Sequence, residues 1–241
     1  MSKAQLIVAL DVETFEEARV LIDQLDDSVD IFKVGFQLFT AYGPFITRYL
    51  QNKGKKVFLD LKFHDIPNTV ASGIKSAVGL SVAPSKDPGF APLFMLTVHT
   101  VGGKEMLEAA AKAACEKAQA LGVQRPLIIG VTVLTSATKE ANMEALVLER
   151  AHLAKAAGLD GVVASVEEAA AIRQALGKDF LIVTPGIRPA DASLNDQKRV
   201  ATPKVAVDAG SNFLVVGRPI VQDSAPREAA LKILKEMTVN R

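Results

Sequence analysis

Cysteine is nearly missing from these 241 residues: Cys115 stands alone. No disulfide can close within the chain, and a reducing compartment is its natural setting. Cys115 lies in an Ala-rich helical pattern and reads as a small apolar helix residue rather than a nucleophile. An excess of either charge is missing too. Twenty-eight Lys+Arg against 27 Asp+Glu leave a net charge of +1, without a basic tail or charge block. Binding to nucleic acid or to a membrane surface therefore has little electrostatic support. No apolar run approaches the ~20 residues of a membrane-spanning helix. The start, Met1-Ser2-Lys3-Ala4-Gln5, runs into a strand-like Leu6–Leu10, and Asp11, Glu13, Glu16 and Glu17 follow at once. That is not the layout of a signal peptide, so a soluble, cytoplasmic protein is expected. A glycine-rich first turn is lacking as well, since Leu10-Asp11-Val12-Glu13 has none of the glycines that cradle a dinucleotide.

What is present is a rhythm. Apolar, β-branched runs recur at Leu6–Leu10, Ile31–Val34, Val57–Leu61, Met95–His99, Leu127–Val133, Gly161–Ala164, Leu181–Thr184 and Phe213–Val216. Amphipathic stretches separate them. Thr14–Leu25 opens with Thr14 and Glu17 spaced as a capping box, while Lys104–Leu121 and Arg150–Ala157 stop at Gly122 and Gly158. Eight units of about 30 residues, each the size of a strand-plus-helix repeat, predict an α/β fold: one (β/α)8 TIM barrel over residues 1–241. An open doubly wound sheet is the alternative, and the first turn argues against it. Two segments break the rhythm. Ser81–Pro92, with three prolines, reads as a surface loop. Pro185–Pro203 is long and polar, carries Arg188, Asp191, Asp196, Lys198 and Arg199, and has the length of a lid.

In a barrel of this kind the carboxyl ends of the strands face the active site. The exits here read Asp11, then Lys33, then Asp60 and Lys62, then Thr135-Ser136, then Thr184-Pro185-Gly186-Ile187-Arg188, and last Gly217-Arg218. Strand periodicity of two turns Asp60 and Lys62 the same way. Charges at the end of a core strand are costly unless something uses them. Carboxylates beside Lys33 and Lys62 keep the ammonium groups charged, which suits proton donation and disfavours nucleophilic attack. Gly217 and Arg218 stand where such barrels bind phosphate. Structural readings stay open: an Asp60–Lys62 ion pair, an Arg218 salt bridge, and Asp65 at a helix start. Asp60, His64 and Asp65 offer ligands for a divalent metal, although Lys62 among them would repel it. His99 and His152 read as structural.

The stretch Asp60-Leu61-Lys62-Phe63-His64-Asp65-Ile66-Pro67-Asn68-Thr69 resembles the signature of the orotidine 5'-phosphate decarboxylase family. Ala9-Leu10-Asp11, Phe32-Lys33-Val34-Gly35, Thr132–Ser136, Thr184–Arg188, Asp196–Arg199 and Val216–Ile220 follow the same family's order. The resemblance implies decarboxylation of orotidine 5'-monophosphate (OMP) to UMP, the last step of de novo pyrimidine synthesis, without cofactor or metal. It makes Lys62 the proton donor to C6, sets Asp60 against the substrate carboxylate, and has Lys33 bridge the carboxylates and the ribose. Asp11 would bind ribose hydroxyls and Thr135 the pyrimidine edge. Arg188, Gln197, Gly217 and Arg218 would hold the phosphate, Gln197 from a closing loop. Asp65 and Thr69 would reach a neighbouring subunit's site, which implies a homodimer.

The fourth strand departs from the family pattern. It reads Leu96-Thr97-Val98-His99-Thr100, where the family often has Asn before the Val-His pair and a small residue after it. Ser81–Pro92 also looks longer than usual. Neither departure is expected to touch the residues assigned above. Three rival readings remain: a Mg2+-dependent keto-sugar-phosphate decarboxylase or hexulose-phosphate synthase sharing D-x-K-x-x-D, a Schiff-base aldolase using Lys62, and a non-catalytic phosphate-binding barrel.

Overall fold

The structure, a computed structural model, describes residues 4–83, 89–134, 142–189 and 201–238. In chain order its elements are β1 (Gln5–Ala9), α1 (Phe15–Gln24), β2 (Ile31–Val34), α2 (Phe36–Tyr42), α3 (Pro44–Asn52), β3 (Lys56–Phe63), α4 (Pro67–Gly79), β4 (Leu93–His99), α5 (Gly103–Leu121) and β5 (Leu127–Val131). There follow α6 (Met143–Ala156), β6 (Gly161–Val163), α7 (Val166–Leu176), β7 (Leu181–Thr184), α8 (Pro203–Asp208), β8 (Phe213–Val216), α9 (Arg218–Val221) and α10 (Pro226–Glu236). Each strand lies parallel to the next, and β8 pairs with β1 to close the barrel. Closure leaves no strand edge, so each strand has a neighbour on both sides.

Alternation along the strands sorts side chains into two layers. Leu6, Val8, Phe32, Val34, Leu59, Leu96 and Val98 face outward into the larger core, beneath the helices. Ile7, Ala9, Ile31, Phe58, Met95, Ile129, Val183, Phe213 and Val215 fill the barrel interior. Two residues further along the same inward face come Asp11, Lys33, Asp60 and Thr97. On the side of β1–β4 the apolar plug thus turns polar at the carboxyl ends of the strands.

Local chemistry fixes the element ends. Thr14 Oγ1 accepts from Glu17 N at 3.2 Å, and Glu17 Oε2 accepts from Thr14 N at 2.9 Å, the reciprocal pair the spacing promised. α5 ends on left-handed Gly122. Some of the expected bounds differ. The helix before Gly158 starts at Met143, not Arg150, and β5 stops at Val131, short of Val133. Cys115 does lie on a helix, α5, where it is exposed. The segment from Ser81 is not all surface: Ser81 is buried and its Oγ accepts from Leu93 N, while residues 84–88 lie outside the described set.

Candidate active site

β3 does something at its carboxyl end that simple alternation did not foresee. Leu59 pairs with Leu96 and Phe63 with Val98, so four residues of β3 advance beside two of β4. The bulge is taken up around Lys62, whose φ of 46° makes it the one non-glycine residue with positive φ among those described. A left-handed lysine costs ~1–2 kcal/mol of backbone energy, and bulges of this kind re-aim side chains beside active sites. Asp60 and Lys62 do meet, but the bulge brings them together, not uninterrupted pleating.

Four charges then form a chain. Lys33 Nζ donates to Asp11 Oδ1 at 3.0 Å and lies 3.7 Å from Asp60 Oδ2. Lys62 Nζ donates to the same Asp60 Oδ2 at 2.8 Å. Asp60 is 8% exposed, and its other oxygen, Oδ1, accepts from Thr97 Oγ1 at 2.9 Å. Among the described residues Lys62 has one carboxylate neighbour, Asp60. Its second neighbour is the Phe36 ring, 5.5 Å from Nζ to the centroid, a cation–π contact. Gly35 keeps space beside Lys33: a Cβ there would stand 3.1 Å from Lys33 Nζ. Gly217 brings the exit of β8 against β1, its Cβ position being 3.5 Å from Asp11 Oδ2.

Beside these charges opens a cavity of about 150 Å³. Lys33, Asp60 and Lys62 line one side, and Val131, Val163, Val183, Pro185 and Val215 are among the apolar residues of the other.

The remaining assigned residues divide. Arg188 is 5% exposed, and its main-chain N–H donates to Ala201 O at 3.0 Å, next to the Ile187–Ala201 bridge that ties the ends of the long loop together. Gly186, at φ 77°, makes the turn that allows this. Arg218 is half-buried and opens α9. Asp65 and Thr69 are exposed and make no described contact with the charge chain; Asp65 Oδ1 accepts from Ile66 N at 2.6 Å. α4 begins at Pro67 with Ile66 as its cap, so Asp65 precedes the helix rather than starting it. Thr135 and Gln197 lie outside the described residues.

Asp60, His64 and Asp65 do not converge as a ligand set: Asp60 is engaged by Lys62 and Thr97, and His64 packs against His99 with ring centroids 5.7 Å apart. Phe36 and above all Thr97 are not among the residues that the sequence assigns. The departure at the fourth strand is expected to touch none of the assigned residues, yet Thr97 contacts both Lys62 and Asp60. The signal that could have found it was register, since Thr97 sits two residues beyond inward-facing Met95 at the same height as Asp60.

Residues 4–233 match the family model "Orotidine 5'-phosphate decarboxylase / HUMPS family". The chain belongs to this family. It is similar to the orotidine 5'-phosphate decarboxylase of Syntrophotalea carbinolica, at 47% identity over 98% of this chain and 96% of the relative. That of Moorella thermoacetica is 46% identical over 98% of this chain and 93% of its own length. Among solved structures, orotidine 5'-phosphate decarboxylase from Lactobacillus acidophilus superposes with a TM-score of 0.81 at 36% identity, covering 98% of this chain and 100% of that one. Family membership and the closed barrel agree, and no described helix is long and apolar enough to cross a membrane.

Proposed function

We propose that this chain converts OMP to UMP, with the charge chain at the barrel mouth as its catalytic apparatus. Breaking the bond from C6 to the carboxylate leaves an electron pair in the plane of the pyrimidine, where the ring π system cannot spread it. The protein must therefore supply positive charge at that carbon. Lys62 does so: its ammonium, held by Asp60 at 2.8 Å on the rim of an apolar-walled cavity, is the observation that carries the reading. It stabilises the carbanion as charge develops and then delivers a proton to C6, leaving a neutral amine that solvent reprotonates. Carbon dioxide departs with neither net oxidation nor reduction. Asp60 lies against the substrate carboxylate, Lys33 bridges toward the ribose, and Asp11 takes the ribose hydroxyls. Arg188, Arg218 and the Gly217 backbone hold the phosphate, whose binding energy helps align the reacting end. Thr135 and Gln197 keep the pyrimidine and phosphate roles that the family resemblance implies.

Asp65 and Thr69 act from a second copy of the chain, in a homodimer with shared sites. Their exposure in the single chain supports this, as does the apolar surface beside them: Ile66 is 67% exposed and Phe36 57%. Sedimentation of the purified protein should give a dimer; a monomer with full turnover would remove this part of the reading.

The test of the reaction is a spectrophotometric assay with OMP, run with and without excess EDTA. Loss of OMP absorbance with stoichiometric UMP, undiminished by the chelator, is expected. Unchanged OMP would end the proposal. Activity abolished by EDTA would point instead to a metal-dependent phosphosugar barrel.

A further inference from the structure

We propose that Thr97 is a positioning residue for this decarboxylation, its single hydroxyl setting both the main chain of the proton donor and the carboxylate that holds the donor's ammonium. The inference rests on the reading of Lys62 given above.

Lys62 N–H donates to Thr97 Oγ1 at 2.8 Å, and Thr97 Oγ1 donates to Asp60 Oδ1 at 2.9 Å. A hydroxyl has one proton. Because Oγ1 accepts from the amide of Lys62, that proton is free to lie along the line to Asp60, and the relay runs in one direction from amide to hydroxyl to carboxylate. With Oδ1 held in this way, Asp60 turns Oδ2 toward Lys62 Nζ at 2.8 Å and Lys33 Nζ at 3.7 Å. The amide of Lys62 lies inside the bulge between the Leu59–Leu96 and Phe63–Val98 pairs, where the ladder is interrupted. Thr97 supplies the acceptor that the interrupted ladder does not. Its side chain is fully buried, at 0% exposure, so water has no route to replace the hydroxyl.

The left-handed backbone of Lys62 is thus bolted to the neighbouring strand. Without the bolt the ammonium moves, and a shift of ~1 Å in a reacting group can cost ~100-fold in rate. Phosphate binding lies elsewhere, at Arg188 and Arg218, so the effect belongs to turnover rather than to substrate capture.

Two pairs of variants isolate the hydroxyl. Thr97→Val keeps the shape and Thr97→Ser keeps the hydroxyl; Thr97→Ala against Thr97→Ser removes the hydroxyl alone, should the valine variant fail to fold. Thr97→Val and Thr97→Ala should lower kcat by roughly 10- to 100-fold, with KM for OMP shifted less than about threefold, whereas Thr97→Ser recovers most of the loss. Amide hydrogen exchange at Lys62 reads the same bond without turnover and should quicken in the valine and alanine variants but not in serine. Parent-like kcat in Thr97→Val or Thr97→Ala, serine as impaired as alanine, or unchanged exchange at Lys62 would each overturn the proposal. Absence of OMP turnover in the parent would instead sink the reaction reading, and the exchange measurement would still decide the link from Thr97 to Lys62.

Discussion

At the amino end of the barrel, Arg125 grips Asp160 through two hydrogen bonds of 2.9 and 2.6 Å, and Asp160 also accepts from Ile128 N at 2.7 Å. Beside it, Arg173 donates to the carbonyls of Gly177, Phe180 and Gly210 and to Asn212 Oδ1, all between 2.6 and 3.2 Å. Apart from Arg173, Gly177 and Ile128, which lies inside β5, every residue in that list stands at most three residues before a strand, so these charges close gaps between strand starts. At the carboxyl end, Asp11, Lys33, Asp60 and Lys62 are paired as well, but their chain of contacts borders a cavity and includes a left-handed backbone. The first cluster spends its hydrogen-bonding capacity on the fold. The second borders open space at the carboxyl end of the strands, the face where barrels of this kind place their active sites.

Mutations should separate the two ends, by activity at one and by stability at the other. The largest effect expected is Lys62→Ala, which should remove ~4 kcal/mol or more of transition-state stabilisation, judged from single electrostatic donors worth ~2.7–4 kcal/mol. The kcat/KM with OMP measures it, and near-normal turnover would rule Lys62 out as the acid. Next comes Arg173→Ala at the opposite end. Leaving several carbonyls without a donor should cost ~2–4 kcal/mol of stability, seen as a lower urea midpoint, with kcat/KM per folded molecule unchanged. Equal losses of activity and stability would erase the distinction between the ends. Arg218→Ala follows, raising KM strongly and lowering kcat/KM by roughly 10- to 100-fold if a charged hydrogen bond to phosphate is worth ~1.5–3 kcal/mol. An unchanged kcat/KM would defeat the phosphate assignment.

The smallest effect concerns His99, at the site end of β4. Burial first, then the charges of His64, Lys62 and Arg150, push its imidazole below the ordinary value of 6.5, while Asp60 pulls the other way. Among the described residues its Nδ1 has no hydrogen-bond partner. The folded chain therefore resists protonation here more than the unfolded chain does. This contribution to stability is complete above pH 6.5 and is lost as pH falls from there through the lowered folded value. His99→Gln should flatten the fall of Tm across that window; an identical slope would show that other groups set it.

Much of this was legible because strands, glycine stops and a capping box are local signals. Ile31–Val34, Leu181–Thr184 and Phe213–Val216 stand where the apolar runs put them. Asp11, Lys33, Asp60 and Lys62 were legible because strand exits in a barrel converge. β3 was not, since it continues through Lys62 to Phe63: a lysine gives no sign of the left-handed turn that a glycine would advertise. Thr97 was overlooked for a related reason. A threonine in a strand is an ordinary strand former, and only the pairing across the bulge turns its hydroxyl toward two charged residues. Asp65 and Thr69 are exposed and make no described contact with the charge chain, and the role proposed for them needs a second copy of the chain.

The backbone of Lys62 would accommodate glycine more comfortably than the residue it carries. At this one place, conformational ease and chemistry select opposite side chains. A search for sturdier variants guided by melting temperature alone would be drawn toward replacing the residue proposed here as proton donor.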